Sequence, residues 1–155
     1  MPTSDEMYQA VIIEHARSPR NFKPLTAASH HCDGRNPLCG DEISLDLSID
    51  AEGRIAEVGF QGQGCAISKA SASMMTAAIK GKTVAEAREL FARFHALVTG
   101  EPVDEAALGK LVAFKGVAAY PMRVKCATMG WHVMMEALGK DREQRTENRE
   151  PRTES

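Results

Sequence analysis

The sequence lacks the features that would direct a chain into or across a membrane. Its first residues carry neither the basic start nor the apolar core of a signal peptide. No apolar run approaches the roughly 20 residues that a membrane span needs. The formal net charge is −2, and lysine and arginine are scattered apart from two local clusters, so nucleic-acid binding is not expected either. We therefore expect a cytoplasmic protein that acts on neither a membrane nor a nucleic acid.

Several common metal and catalytic signatures are also missing. The sequence contains no C-x-x-C, no H-E-x-x-H and no H-x-E with P-C-x-x-C, which argues against a local zinc finger, an H-E-x-x-H metalloprotease and a zinc deaminase. It does contain four cysteines. In a reducing compartment these are not expected to form structural disulfides. Two interpretations remain: metal binding or sulfur chemistry, or small buried apolar side chains.

Alternating apolar residues predict a small β-sheet in the first half of the chain. Strands are expected at about 29–34, 42–49 and 55–61. In the third strand, Ala56, Val58 and Phe60 are expected to share one face. A short turn joins the second and third strands, which predicts an antiparallel hairpin.

Helical periodicity dominates the rest of the sequence. Helices are expected at about 5–17, 66–79, 83–98, 104–112 and 122–138, and Thr83 and Glu86 match a capping box. Strands followed by helices favour an α+β domain with helices packed on one face of a small antiparallel sheet. Residues 1–138 would form this domain. Residues 139–155 contain no large apolar residue and are predicted to be a charged, disordered C-terminal tail.

The first candidate site residue is Cys39, in the segment NPLCGD at residues 36–41. A proline before the cysteine and a glycine after it predict a tight, exposed turn. A carboxylate beside a free thiolate raises the pKa of the thiol by like-charge repulsion, whereas a cation between the two groups makes both useful as ligands. Asp41 is therefore a candidate metal ligand. The alternative is a turn aspartate that hydrogen-bonds its own backbone.

Two further cysteines lie at or near the starts of predicted helices. Cys65 follows the segment GQG at 62–64, whose glycines allow an unusual turn from strand to helix. Unpaired N–H groups and the helix dipole favour a thiolate at that position. Cys126 is expected in the first turns of the last helix, next to Arg123 and Lys125. The alternatives are that Cys65 is a buried cysteine at a helix start and that the two cations form a solvated basic edge.

Charge alone does not identify a metal for these residues. Cys39, Cys65, Cys126 and Asp41 would carry four negative charges when fully ionised. A divalent cation neutralises half of that charge, and so does a doubly charged iron–sulfur core. Cys32 stands apart from the other cysteines, beside two histidines, and is interpreted as a non-ligand.

Three segments resemble the cysteine motifs of the NifU/IscU-type iron–sulfur cluster assembly family. They are GRNPLCGD at 34–41, FQGQGCAISKASASMM at 60–75 and RVKCATMGW at 123–131. The resemblance runs from about residue 7 to residue 138 and is strongest to the SufU-like branch. The cluster-scaffold branch carries a histidine before its third cysteine, where this chain has Lys125. That branch also has a double-proline chaperone-recognition segment, which residues 119–123 do not reproduce.

The resemblance implies a metal site and a role for one thiol. It implies that Cys39, Asp41, Cys65 and Cys126 bind one zinc ion. It also implies that Cys39 accepts sulfane sulfur from a SufS-like, pyridoxal-phosphate-dependent cysteine desulfurase. A ligand offered by the partner would replace Cys39 on the metal and leave its thiolate free to react.

The function implied is a zinc-dependent sulfur acceptor and carrier, a sulfurtransferase that feeds downstream iron–sulfur cluster assembly machinery. Arg123 and Lys125 are expected to support the site by offsetting its surplus negative charge. Two alternatives stay open. The same ligands would hold a transient iron–sulfur cluster on a scaffold, or zinc would only stabilise the fold, without sulfur transfer.

Overall fold

The computed structural model describes the backbone of residues 4–36 and 40–146 and the side chains of residues 8–36 and 40–139. This part of the chain forms four α-helices, a three-stranded sheet and two 3-10 segments. The helices are α1 (Ser4–Arg17), α2 (Ala66–Ile79), α3 (Val84–Val98) and α4 (Pro121–Thr146), the strands β1 (His30–Asn36), β2 (Asp41–Ile49) and β3 (Ile55–Gln63), and the 3-10 segments Glu105–Ala107 and Gly109–Ala119. The predicted α+β class is confirmed.

The sheet places one carboxylate on the core face. β2 lies in the middle and pairs antiparallel with β1 and β3. Its alternation is as predicted, because Ile43, Leu45 and Leu47 are all buried. The strand begins one residue earlier than expected, at Asp41, which has the same parity as these apolar residues and is fully buried with them.

A β-bulge changes which residues of β3 face the core. Leu47 pairs with Val58, but the register shifts between Ser48 and Ile49, and Ile49 pairs with Ile55. Ala56 is skipped and exposed, whereas Ile55 is buried. The prediction that Ala56 shares a face with Val58 is therefore wrong, because the bulge inserts one extra residue and reverses the alternation beyond it.

Helices α2 and α4 pack on the core face of the sheet, and α1 packs on α2. α4 approaches β1 closely at Gly34, where an added Cβ would overlap the side chain of Val133. A buried hydrogen-bond chain joins α2 to α4: the Trp131 indole N–H donates to Ser71 Oγ at 3.1 Å, and the Ser71 hydroxyl donates to the Ala127 carbonyl at 2.6 Å. These two hydrogen bonds hold the first half of α4 at a defined distance from α2.

The helix predictions are partly confirmed. α2 has the expected bounds, and Thr83 and Glu86 form the predicted capping box of α3. The segment expected to be helical at 104–112 is instead the two 3-10 segments. The helix expected to end at Leu138 continues to Thr146, because residues 140–146 are mostly strong helix formers. The rest of the predicted tail, residues 147–155, lies outside the described residues.

None of these helices, in the part of the chain that the structure describes, is both long and apolar enough to cross a membrane.

Candidate metal centre

Three potential ligands from three different elements converge. Asp41 begins β2, Cys65 directly precedes α2, and Cys126 lies in the second turn of α4. One ligand atom from each lies within 4.8 Å of the other two. Asp41 is 0% exposed and Cys126 is 4% exposed, whereas Cys65 is an exposed residue. The group is therefore closed on the protein side and accessible at Cys65.

Cys65 occupies the N-cap position of α2. Its backbone is extended, with φ −74° and ψ 166°, and the Ser68 backbone N–H donates to its sulfur at 3.4 Å. The sulfur thus takes the place of the oxygen that usually satisfies an unpaired N–H group at a helix start. This placement matches the predicted one, and the dipole of α2 favours negative charge on this sulfur.

The Asp41 carboxylate is tied to the same helix start. Its Oδ1 accepts a hydrogen bond of 2.9 Å from the Cys65 backbone N–H, and its Oδ2 lies 4.0 Å from Cys65 Sγ. Within the described residues, Cys65 supplies all the hydrogen bonds that this carboxylate receives. A buried carboxylate oxygen that faces sulfur is costly to desolvate unless a cation lies nearby. The environment of Asp41 therefore favours a cation between it and the cysteines.

Gly64 makes room for this carboxylate. A Cβ at Gly64 would overlap Asp41 Oδ1, and the φ of Gly64 is 154°, a value that residues with side chains rarely adopt. The sequence pointed to this glycine only as a source of turn flexibility. The sequence does show that this glycine directly precedes Cys65. The steric need for glycine there becomes clear only from the structure, in which Asp41 lies against it.

Cys126 reaches the group from the second turn of α4. Arg123 and Lys125, which precede Cys126 by three residues and by one, are exposed. The Arg123 guanidinium carbon lies 4.8 Å from the centre of the Tyr120 ring. Lys125 lines an open groove of about 340 Å³ between β1 and α4, together with Asn36 at the end of β1. Both cations thus lie within three residues of Cys126 in the sequence, and their supporting role stays a prediction.

The other two cysteines are placed differently. Cys39, the fourth predicted ligand, lies outside the described residues, two positions before Asp41 in the sequence. Cys32 lies in β1 opposite Leu45 and is buried in the apolar core. It does not belong to the converging group, which agrees with its interpretation as a non-ligand.

The residues present fit a zinc ion. With zinc–sulfur distances near 2.3 Å and zinc–oxygen distances near 2.0–2.2 Å, tetrahedral ligand atoms lie about 3.5–3.8 Å apart. The observed limit of 4.8 Å means that the distances between ligand atoms have to shorten by at most about 1.3 Å to reach that spacing. Zinc binds thiolates well and also binds carboxylates, so both the types of ligand and their spacing fit a zinc ion.

Comparison with known proteins identifies the family. The family model of the NifU-like N-terminal domain matches residues 7–143. The chain belongs to this family. The resemblance inferred from the three cysteine motifs is thereby confirmed, and the converging group in this NifU-like chain is a potential metal site made by those motifs.

Individual relatives include both SufU-named and IscU-named proteins. The chain is 39% identical over 138 residues to the zinc-dependent sulfurtransferase SufU of Bacillus subtilis, covering 88% of this chain and 92% of the relative. It is 38% identical over 135 residues to the iron–sulfur cluster assembly scaffold protein IscU of Streptococcus pyogenes, covering 86% of this chain and 84% of that relative. The crystal structure of FiSufU from Fervidobacterium islandicum AW-1 matches with a TM-score of 0.80 at 35% identity, covering 88% of this chain and 99% of FiSufU.

Proposed function

We propose that this NifU-like chain is a zinc-dependent sulfur acceptor that takes persulfide sulfur from a cysteine desulfurase in the cytoplasm and passes it to iron–sulfur cluster assembly machinery. The observation that carries the proposal is the convergence of Asp41, Cys65 and Cys126 within 4.8 Å. The similarity to a relative named zinc-dependent sulfurtransferase, over nearly its whole length, supports it.

The proposed ligands are these three residues and Cys39, which would complete a set of three thiolates and one carboxylate. Bound zinc would keep the thiols deprotonated and shield them from oxidation. Residues of the chain itself are also expected to favour the deprotonated thiols. The N-terminus of α2 favours negative charge on the Cys65 sulfur. We expect the exposed cations Arg123 and Lys125 to offset part of the surplus negative charge.

The proposed transfer step is a thiol–persulfide exchange at Cys39. Its thiolate attacks the outer sulfur of the donor's cysteine persulfide, and a new S–S bond forms at Cys39. The S–S bond in the donor breaks, and the donor cysteine leaves as a thiolate. One persulfide and one thiol are consumed and one of each is formed, so no external oxidant or reductant is needed. The proposed persulfide donor is a SufS-like, pyridoxal-phosphate-dependent cysteine desulfurase.

The test compares two cysteine variants. The chain is incubated with a cysteine desulfurase and radiolabelled L-cysteine, and persulfide label on the chain is measured after non-reducing electrophoresis. We expect wild type and Cys32→Ala to take up label, because Cys32 is buried in the core away from the converging group. We expect Cys39→Ala to take up none while it keeps its fold by circular dichroism. Equal labelling of wild type and Cys39→Ala would show that Cys39 is not the acceptor.

A scaffold for a transient iron–sulfur cluster is the second candidate function. It is favoured by the similarity to a relative named as a cluster assembly scaffold. Lys125 counts against it, because it stands before Cys126 where the scaffold branch carries a histidine. Anaerobic reconstitution with iron and sulfide separates the two functions. We expect the zinc-loaded chain to stay colourless, and strong visible absorption with loss of zinc would favour the scaffold.

A further inference from the structure

The sulfur atoms of Cys65 and Cys126 lie close to each other. One ligand atom from each member of the converging group lies within 4.8 Å of the others, and the atom that a cysteine offers is its sulfur. A disulfide bond is about 2.05 Å long, so the two sulfurs have to approach by at most about 2.8 Å to form one. Rotation of a cysteine side chain from one staggered position to another moves its sulfur by a distance of that order.

The helices on which the two cysteines lie are held firmly against each other. The Trp131 indole N–H donates to Ser71 Oγ, and the Ser71 hydroxyl donates to the Ala127 carbonyl. A Cβ on Gly130 would lie 3.3 Å from the Ala72 side chain, so the two helices also approach closely at this level. Because these contacts fix the backbones of α2 and α4, a bond between the two sulfurs forms by rotation of the side chains, without separation of the helices.

The two cysteines differ in how easily a small oxidant reaches them. Cys65 is exposed, whereas Cys126 is 4% exposed. The Cys65 sulfur lies at the start of α2, where it accepts a hydrogen bond from the Ser68 backbone N–H. Oxidation of thiols follows their access to solvent, and redox-sensing cysteines are often placed next to a second, resolving cysteine. In this pair Cys65 is the thiol that an oxidant meets first, and Cys126 is the resolving thiol behind it.

We propose that Cys65 and Cys126 form a reversible disulfide when hydrogen peroxide reaches the zinc-free site, and that this disulfide prevents zinc from binding. The Cys65 sulfur attacks one peroxide oxygen and becomes a sulfenic acid, while the O–O bond breaks and the leaving hydroxide takes up the thiol proton as water. The Cys126 sulfur then attacks the Cys65 sulfur, the S–O bond breaks, and a second water leaves. Two thiols and one peroxide thus give one disulfide and two waters, and the peroxide accepts both electrons.

The disulfide and zinc compete for the same two sulfur atoms. The inference rests on the proposed function in taking zinc as the ion that these residues bind. Bound zinc occupies both sulfurs, whereas the disulfide leaves it only Asp41 and Cys39 of the four proposed ligands. A dithiol restores the two thiols by thiol–disulfide exchange. Since a reducing compartment does not maintain structural disulfides, the bond is a transient one, and it makes zinc loading depend on the redox state around the protein.

The test identifies the bond and its effect on zinc. The full chain as purified is treated with hydrogen peroxide in the presence of a chromophoric chelator that takes up released zinc. Intact mass should fall by the mass of two hydrogen atoms, two of the four thiols should remain for titration in denaturant, and peptide mapping without reduction should find residues 65 and 126 joined. Zinc affinity should fall by at least about 100-fold and recover after dithiothreitol.

Cysteine variants show which thiols form the bond. The matched control is Cys32→Ala, which removes a buried cysteine outside the converging group and should give the same cross-link at the wild-type rate. Cys39→Ala should also give it. Cys126→Ala should give none and should instead gain oxygen at Cys65, because the sulfenic acid has no resolving thiol. Absence of a cross-link in wild type, or a cross-link that joins residue 39 to either cysteine, would overturn the proposed disulfide.

The result for the disulfide is separable from the result for sulfur acceptance. Sulfur acceptance is measured with the desulfurase and without peroxide, so absence of the disulfide would leave the proposed function standing. A chain that forms the disulfide and accepts no sulfur would overturn the proposed function alone. Excess zinc added before the peroxide should slow the cross-link at least about tenfold, because it occupies both sulfurs. Equal rates with and without added zinc would overturn the competition between zinc and the disulfide.

Discussion

Replacing Gly64 with alanine tests the steric design of the metal centre. A Cβ at this position would overlap Asp41 Oδ1, the oxygen that accepts the hydrogen bond from the Cys65 N–H. The main chain on both sides is fixed by β3 and α2, so relief comes from a shift of the carboxylate. Gly64→Ala should therefore displace one proposed ligand without removing it.

The size of the effect follows from two separate terms. Alanine at a φ of 154° carries backbone strain, which we expect to lower the free energy of unfolding of the metal-free protein by about 1–3 kcal/mol. Displacement of Asp41 weakens metal binding. Changes that disturb the orientation of a ligand weaken metal affinity by about 10–100-fold. That loss corresponds to about 1.4–2.7 kcal/mol of zinc-binding free energy.

The control for Gly64→Ala is Gly81→Ala. Gly81 follows α2 with a φ of 89°, and a Cβ there would meet nothing within 4 Å. It should carry backbone strain without touching the metal centre. Zinc affinity is measured by competition with a chromophoric chelator, and stability by urea denaturation of the metal-free forms. Wild-type zinc affinity in Gly64→Ala, or an equal loss in Gly81→Ala, would refute the steric argument.

Three further predictions concern a buried bond, a helix cap and a titrating histidine. Ser71→Ala leaves the Trp131 indole N–H without its acceptor, so urea denaturation should show a loss of about 1–3 kcal/mol, and a change below about 0.5 kcal/mol would contradict it. Cys65→Ser keeps an N-cap acceptor, so the metal-free protein should unfold within about 0.5 kcal/mol of wild type while zinc affinity falls sharply; unchanged affinity would exclude Cys65 as a ligand. The hydrogen bond to Asp46 raises the pKa of His31 in the folded protein. Protonated His31 therefore stabilises the fold fully below about pH 6.5, and this stabilisation is lost as pH rises through the raised pKa. NMR titration of His31 and a flatter pH–stability profile in His31→Gln would check this, and a pKa at or below the ordinary histidine value would contradict it.

The parts of the fold set by local chemistry could be predicted from the sequence. The capping box of Thr83 and Glu86 starts α3 because its partners are three residues apart. The apolar alternation of β2 places Ile43, Leu45 and Leu47 on one face because a strand has a period of two. The extension of that parity to Asp41 was also available, and it would have predicted a carboxylate on the core face.

Features set by pairing between distant segments were not predictable in the same way. The bulge that turns Ala56 outward depends on the register between β2 and β3, and no local pattern in β3 reports it. The 3-10 geometry of Gly109–Ala119 arises in a segment that packs against α1, α3 and α4. The meeting of Asp41, Cys65 and Cys126 joins three elements far apart in the sequence, so spacing alone was a weak signal. Residue types and their local context suggested these ligands, and the family resemblance then implied that they bind one metal ion.

The measurement that tests the central claim most directly is zinc-edge X-ray absorption of the freshly purified full chain, which counts the sulfur and lighter atoms bound to the metal. The account predicts one zinc ion per chain with three sulfur ligands, from Cys39, Cys65 and Cys126, and one oxygen ligand from Asp41. A zinc shell made mainly of nitrogen and oxygen, or a chain that binds no zinc, would contradict it.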